Sequence, residues 1–342
     1  MIIHVAILDT DIPVRPVFWA RGLYSSQFRT LLQSAAGRMN SQQKNQTENI
    51  EIHTSAYDIV GGSYPALDTL RCSPRQKGGR QTRVKNLNSL PIDAIIVTGS
   101  LASSYQFDEY PWIIQLQQFI QTVWKRYPAV KMFGSCFGHQ LIAQALLSQL
   151  SSEKEQLLLI DEKTATPPPA AAHVEECPLG FEIGIHPITL NPAFVSSASP
   201  ALSTLCNREM RIQLFHGDRV ISSSQQDKAA LPSPWMSIGS TEISPIQGLF
   251  HPGRVLTYQG HFEFDSWANR ELVVVSTSRW GWTEEMSKKY IEQVGQVGQD
   301  DDDSKLAAEV VVWFFAEEDN SPKSVGAIKR FTGKFMKMLC LG

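Results

Sequence analysis

Cysteine is scarce in this chain. Its 342 residues hold five, Cys72, Cys136, Cys177, Cys206 and Cys340, odd in number and scattered, with no C-x-x-C pair. That argues against a disulfide framework or a structural zinc site as the organising device. It suits reduced thiols in a cytoplasmic setting. Charge of one sign is lacking too. The formal net charge is -3, so the whole chain offers no broad field to nucleic acid or an anionic membrane. No run reaches the roughly 18 apolar residues needed to span a bilayer. The opening, Met1 to Asp9, has neither a basic n-region nor a small-residue cleavage site, so no signal peptide is expected. There is no internal repeat.

What is present suits a large core. Hydrophobic residues make up 42% and charged residues 19%, which argues against wholesale disorder. Residues 2–8 form an apolar run that fits a buried parallel strand. Residues 23–32 read as helix, 50–57 and 92–97 as strands, 109–126 as helix, 130–133 as a strand and 140–147 as helix. Strand and helix in alternation argue for a doubly wound, mainly parallel sheet. The second half reads differently. Short strand candidates at 181–190, 210–215, 235–240, 248–251 and 255–258 extend that sheet or add a small antiparallel one. Helices return at 266–275, 283–294 and 305–316.

Three segments read as insertions: 71–90, 151–172 and 222–234. The first carries six Lys/Arg and no acid between Arg71 and Lys85. It is a surface loop or a site for an acidic partner. The second contains Pro167-Pro168-Pro169 and an alanine run; the third is rich in Ser, Gln and Pro. The acids at 300–303 suit a solvated helix start, where negative charge meets the positive end of the dipole. Asp9 follows the first strand and could face a pocket at the sheet edge.

The strongest chemical signal is Gly134-Ser135-Cys136-Phe137-Gly138-His139-Gln140, between a strand and a helix. This is the pattern of a nucleophile elbow, a crowded turn that lifts one side chain over the C-terminal edge of a sheet. The helix start favours a thiolate, the reactive form. The N–H of Phe137 points to where an oxyanion would form. By itself the segment also fits a buried cysteine in a glycine-rich turn. A second segment tips the balance: Tyr258-Gln259-Gly260-His261-Phe262-Glu263. A thiolate nucleophile needs a proton carrier, and an imidazole needs an orienting acceptor. In an extended segment residues i and i+2 point the same way, so Glu263 can hold His261.

With these two segments the chain resembles the class I (triad) glutamine amidotransferases, a family with a G-x-C-x-G-x-Q elbow and a distant G-H-P-E segment. The likeness runs from residue 1 to about 275, insertions apart, and is nearest the stand-alone γ-glutamyl peptidases and predicted amidotransferases of plants and fungi. It departs at Phe262, where the family has proline. The resemblance implies a flavodoxin-like α/β domain over 1–275 with a small additional antiparallel set of strands, followed by a helical extension over 276–342 packed on the same domain. It implies Cys136, His261 and Glu263 as catalytic residues. The oxyanion donors would be Phe137 and either Gly99 or Ser100, within Thr98-Gly99-Ser100. Gln140 and the segment His216-Gly217-Asp218 would line a pocket for the substrate. No metal or organic cofactor is implied.

The expected reaction is cysteine-dependent cleavage of a γ-glutamyl amide or peptide bond through a glutamyl thioester. No synthetase domain is visible, and the about 65 residues after the family region are too few for one. The alternatives are a glutaminase subunit that feeds ammonia to a separate synthetase partner, or a non-catalytic binding protein of the same fold. An α/β-hydrolase would place the acid before the histidine in the chain, which is not the order here.

Overall fold

The computed structural model describes residues 1–42, 49–74, 87–148, 170–199, 202, 205, 209–295 and 302–317. Most of the first two expected insertions, the acids 300 and 301, Cys206, Cys340 and residues 318–342 lie outside the described residues. In chain order the strands are β1 (Ile2–Asp9), β2 (Glu51–Asp58), β3 (Ala94–Val97), β4 (Lys131–Ser135), β5 (Ala172–Glu176) and β6 (Glu182–Leu190). They continue as β7 (Glu209–His216), β8 (Asp218–Ser222), β9 (Met236–Ser237), β10 (Gly239–Ser240), β11 (Leu249–His251) and β12 (Val255–Tyr258). The helices are α1 (Arg15–Arg21), α2 (Tyr24–Gln42), α3 (Trp112–Arg126) and α4 (Phe137–Leu147). After them come α5 (Pro192–Ala198), α6 (Ser266–Arg279), α7 (Glu284–Val294) and α8 (Ser304–Ala316).

Among the described residues the main sheet runs β2-β1-β3-β4-β12-β11-β9. The first five strands are parallel, and β11 and β9 add an antiparallel edge. The order 2-1-3-4-5 in the parallel part is the flavodoxin-like one. Period two sorts the apolar strand residues between two layers. Ile3, Val5 and Ile7 face α2 and α8 through Phe28, Leu32, Val311 and Phe314. Ala6, Leu8, Ile95 and Val97 face α3 and α4 through Leu116, Ile120 and Leu141. Both faces of β1, β3 and β4 are covered, so these strands read as continuous apolar runs.

Several boundaries differ from the sequence reading, each for a local reason. Helix α3 begins at Trp112 because Pro111 occupies the N-cap, and the residue before a proline avoids helical geometry. Helix α2 runs on to Gln42, and α1 was not anticipated. The expected strand 235–240 is two pieces. Residues Met236–Ser237 pair with β11, whereas Gly239–Ser240 pair with β6 in a second sheet. A side chain at Gly239 would meet the Thr189 carbonyl at 2.5 Å, so the crossing needs glycine. Strands β5 and β8 close the roots of two expected insertions: they pair antiparallel with Ala172 opposite Ser222.

Helix α8 is fastened to the sheet by buried polar contacts as well as by apolar ones. The Lys131 ammonium, in an otherwise apolar strand, donates to the carbonyl of Phe314 at 2.7 Å and to that of Glu317. Asp303 is more than a solvated start. Its N–H donates to the Arg211 carbonyl at 2.6 Å, and its carboxylate accepts from the Arg211 N–H at 2.8 Å. Lys131→Met removes charged donors from the last carbonyls of α8, an interaction class worth about 1.5–3 kcal/mol. Urea unfolding should show a loss of that order, and an unchanged midpoint would mean the apolar face alone holds the helix.

Candidate active site

The turn between β4 and α4 is crowded enough to dictate its own sequence. Cys136 has φ 49°, the one non-glycine residue with positive φ among the described residues. Such a conformation costs energy and persists only where the surroundings hold it. A side chain at Gly134 would lie 2.4 Å from the Gly138 carbonyl oxygen, and one at Gly138 would lie 2.2 Å from that of Val97. Both positions therefore need glycine. The Cys136 N–H donates to the Tyr258 carbonyl at 2.8 Å, which ties the turn to β12. The thiol sits at the first turn of α4 and lines a cleft.

The chain after β12 brings the second group to it. The His261 N–H donates to the Gln213 carbonyl at 2.7 Å. Its ring stacks on Phe264 with centroids 4.0 Å apart and hydrogen-bonds the Cys136 side chain. Nδ1 lies 2.7 Å from Glu263 Oε1, which also accepts from the Ser135 hydroxyl at 2.9 Å. Residues 259–263 bend instead of continuing as a strand, so the carboxylate returns to its neighbour through a turn. Phe262, the departure from proline, packs edge-on against Phe28 and close to Phe133 in the core. Burial would push the His261 imidazole down. The Glu263 carboxylate and the Cys136 sulfur outweigh it and hold the imidazole up at about 10.

The remaining expected residues gather around the same point. A side chain at Gly99 would meet His261 Cε1 at 3.1 Å, so the glycine lets the loop lie flat on the imidazole. Ser100 lines the cleft, and its hydroxyl donates to Asp11 at 3.2 Å. The Phe137 ring packs on Trp112 at 5.5 Å. Gln140 donates to the Asp218 carbonyl and to Gln259 Oε1, both at 3.2 Å. His216 Nδ1 lies 2.9 Å from the Asp218 carbonyl. Asp9 is elsewhere: its carboxylate accepts from the Ser25 N–H at 2.8 Å and serves the start of α2.

Comparison with known proteins agrees with this fold. Two curated fungal relatives carry names that call them putative glutamine amidotransferases or amidotransferase-like. The Schizosaccharomyces pombe protein is 26% identical over 293 residues, 85% of this chain and 91% of its own length. The Saccharomyces cerevisiae protein is 30% identical over 175 residues, 50% of this chain and 53% of its own. Among solved structures, a glutamine amidotransferase from Thermotoga maritima superposes with a TM-score of 0.50 at 13% identity over 91% of this chain and 96% of that one. One from Methylobacillus flagellatus gives 0.51 at 13% identity over 93% and 96%. No family model matches the chain. The chain is thus similar in sequence to putative glutamine amidotransferase-like proteins and shares the fold of solved glutamine amidotransferases.

The cleft beside Cys136 measures about 450 Å³. Cys136, Gln140, His216 and Asp218 lie along it, with Glu176 nearby and an aromatic wall of Phe181, Phe215, Trp280 and Trp282. Trp280 and Trp282 stand 5.0 Å from Phe181, and Arg279 stands at the rim. Burial raises the Asp218 carboxyl, whose Oδ1 accepts from the Tyr105 hydroxyl at 2.9 Å. The sequence reading missed the aromatic wall and also Glu182. That buried carboxylate lies 3.1 Å from His216 Nε2. Burial acts to raise the Glu182 carboxyl, but His216 prevails and holds it low. The two residues are cross-strand partners in the β6–β7 ladder, a register the sequence did not announce. Among the described residues no cluster of three or more His, Cys, Asp or Glu could hold a metal ion, and no helix is long and apolar enough to cross a membrane.

His139 backs the elbow from inside the core, its Nδ1 2.7 Å from the Thr257 hydroxyl. Burial, helped by the charge of His216, pushes its imidazole down from 6.5 to about 3. A histidine depressed in the fold stabilises fully above its unfolded value and loses that contribution as pH falls through the folded value. The urea midpoint should therefore drop between pH 6.5 and about 3, and less steeply in His139→Gln. Equal slopes for the two proteins would show that other groups drive the acid sensitivity.

Proposed function

We propose that this protein is a cysteine-dependent hydrolase that cleaves a γ-glutamyl amide or peptide bond. The likeness to glutamine amidotransferases supports amidotransferase or hydrolase chemistry of the class I type. The observation that carries the finer reading is the row Cys136–His261–Glu263 beside a cleft of about 450 Å³. In it the Cys136 thiolate attacks the γ-carbonyl carbon, and the carbonyl electron pair moves onto oxygen. The N–H groups of Phe137 and of Gly99 or Ser100 receive that oxyanion. Nδ1 of His261 is engaged with Glu263, so Nε2 carries the proton to the leaving amine as the C–N bond breaks. The neutral imidazole then takes a proton from water, which attacks the thioester. Glutamate leaves and the thiolate returns.

The cleft supports a glutamyl group in particular. Asp218 and Glu176 offer negative charge to an α-ammonium, and Arg279 offers a guanidinium to a carboxylate. The aromatic wall gives the leaving side of the substrate an apolar surface. Incubation with glutamine, glutathione and an aromatic S-conjugate of glutathione, with glutamate measured, tests the reading. Hydrolysis of the peptides is the expected outcome. Turnover of glutamine alone would favour a glutaminase that supplies ammonia to a partner synthetase.

Cys136→Ala should fall to background while circular dichroism stays native. Glu263→Gln keeps the shape but loses the charge that orients His261. Loss of the corresponding carboxylate in serine triads costs about 10⁴ in turnover. A thiol needs less help from its base, so the expected loss is on the order of 10–10³. Full activity in folded Cys136→Ala sinks the mechanism; full activity in Glu263→Gln removes only its third member.

A further inference from the structure

The Cys136 sulfur has a second polar neighbour that the reaction scheme above does not use. Gln259 is fully buried, and its Nε2 lies 3.6 Å from Sγ. The direction of this amide is fixed by its surroundings. The backbone carbonyl of Asp218 can only accept, so the group Gln140 turns towards it at 3.2 Å is its NH₂. That same NH₂ reaches the Gln259 side chain at 3.2 Å, which must therefore present its oxygen there. The NH₂ of Gln259 is left facing the sulfur. The Gln259 backbone is held as well, since its N–H donates to the Gln247 carbonyl at 2.9 Å.

We propose that Gln259 is a hydrogen-bond donor that favours the thiolate of Cys136, with Gln140 as the residue that locks its orientation. The inference rests on Cys136 being the nucleophile. The need for such a donor is visible in the third contact of the sulfur. Sγ lies 3.7 Å from the Phe215 carbonyl oxygen, a partner for a thiol proton but an adverse neighbour for a thiolate. Gln259 and His261 oppose that carbonyl from the bend after β12. Donors aimed at the charged form favour it, and a neutral donor does so at every pH. Gln259 thus supports the thiolate in the resting enzyme and again as it leaves the second tetrahedral intermediate. Gln140 acquires a second task beyond lining the cleft, and its place one turn into α4 positions it for both.

The test is the pH profile of Cys136 alkylation by iodoacetamide, followed by mass spectrometry from about pH 5 to about pH 10, since alkylation reads the thiolate. The titratable groups facing the sulfur are His261 and Glu263 after β12, Tyr24 of α2, and His216 and Asp218 at the β7–β8 turn. Around the cleft stand Glu176 at the end of β5 with Cys177 after it, Glu109 and Tyr110 before α3, and Arg279 at the end of α6. Gln259→Leu leaves all of them in place, so a shift in the profile belongs to the amide. The alkylation midpoint should rise by about one pH unit in Gln259→Leu, and by more in Gln259→Glu, which sets a carboxylate against the thiolate. Gln140→Leu, which frees the amide to turn, should move it in the same direction by less. An unchanged midpoint in folded Gln259→Leu overturns the proposal. Should that variant not fold, the isosteric Gln259→Glu decides, and a midpoint equal to the parent's overturns it. If Cys136 of the parent protein does not alkylate at all, the nucleophile reading itself fails, a result distinct from either.

Discussion

The structure turns on how closely three backbones approach one another under Cys136. Strand β3, strand β4 and the first turn of α4 meet where Gly134 and Gly138 have no room for a side chain. The positive φ of Cys136 is the consequence: the chain must reverse from strand into helix within one residue. Strand β12 then closes the assembly, because the Cys136 N–H is satisfied by the Tyr258 carbonyl. Every other functional group is placed by this junction. Gln259 and His261 follow β12 closely, Gln140 lies one turn along α4, and Gly99 lies two residues past β3. A strained turn of this kind survives only when the packing around it over-determines it. The fully buried Phe133, Phe137 and Tyr258 supply that packing.

The same closeness buries polar groups, and these must find one another. Gln247 Nε2 donates to Glu182 at 2.7 Å, Glu182 faces His216, and His216 and Gln140 both reach the Asp218 carbonyl. Gln140 passes the chain to Gln259 and so to the sulfur. A buried network of this kind is stabilising only when its members are satisfied, since each orphaned group costs its desolvation. The network also links the parallel sheet to the smaller β6–β7 pair, which gives that pair a role in holding the cleft wall in place.

Much of this was legible in the sequence because it is local. The elbow is a heptad whose glycines, cysteine and glutamine all sit within one turn. The pair His261 and Glu263 lies two residues apart. The alternation of apolar runs with helical spacing was enough for the doubly wound sheet. What escaped is what depends on distant register. Glu182 carries no local mark; it matters because the β6–β7 ladder sets it opposite His216. The aromatic wall is assembled from Phe181 before β6, Phe215 on β7 and two tryptophans after α6. Lys131 reads as a blemish in an apolar strand until α8 is laid across it. The division of 235–240 between two sheets turns on the lack of room at Gly239 against residues 188–190 of β6.

The electrostatic arrangement shows why the site is both dry and workable. Cys136, His261 and Glu263 are 7%, 3% and 4% exposed, so water does little to stabilise their charges. An isolated buried charge is costly, and a buried pair compensates only when its remaining hydrogen bonds are made. Ionised, the row reads thiolate, imidazolium, carboxylate, each charge beside its opposite. One negative charge is left over. It is met at the carboxylate end by the Ser135 hydroxyl and at the sulfur end by the Gln259 amide and the start of α4. Donors thus stand at both ends of the row, and its centre is the only proton carrier. In the proposed reaction a substrate carbonyl takes the sulfur's electron pair, and the excess charge moves towards the Phe137 N–H, still within the first turn of α4. The charge is displaced by one atom's width inside a field already set for it, which is the condition under which a fixed environment lowers a barrier without having to reorganise.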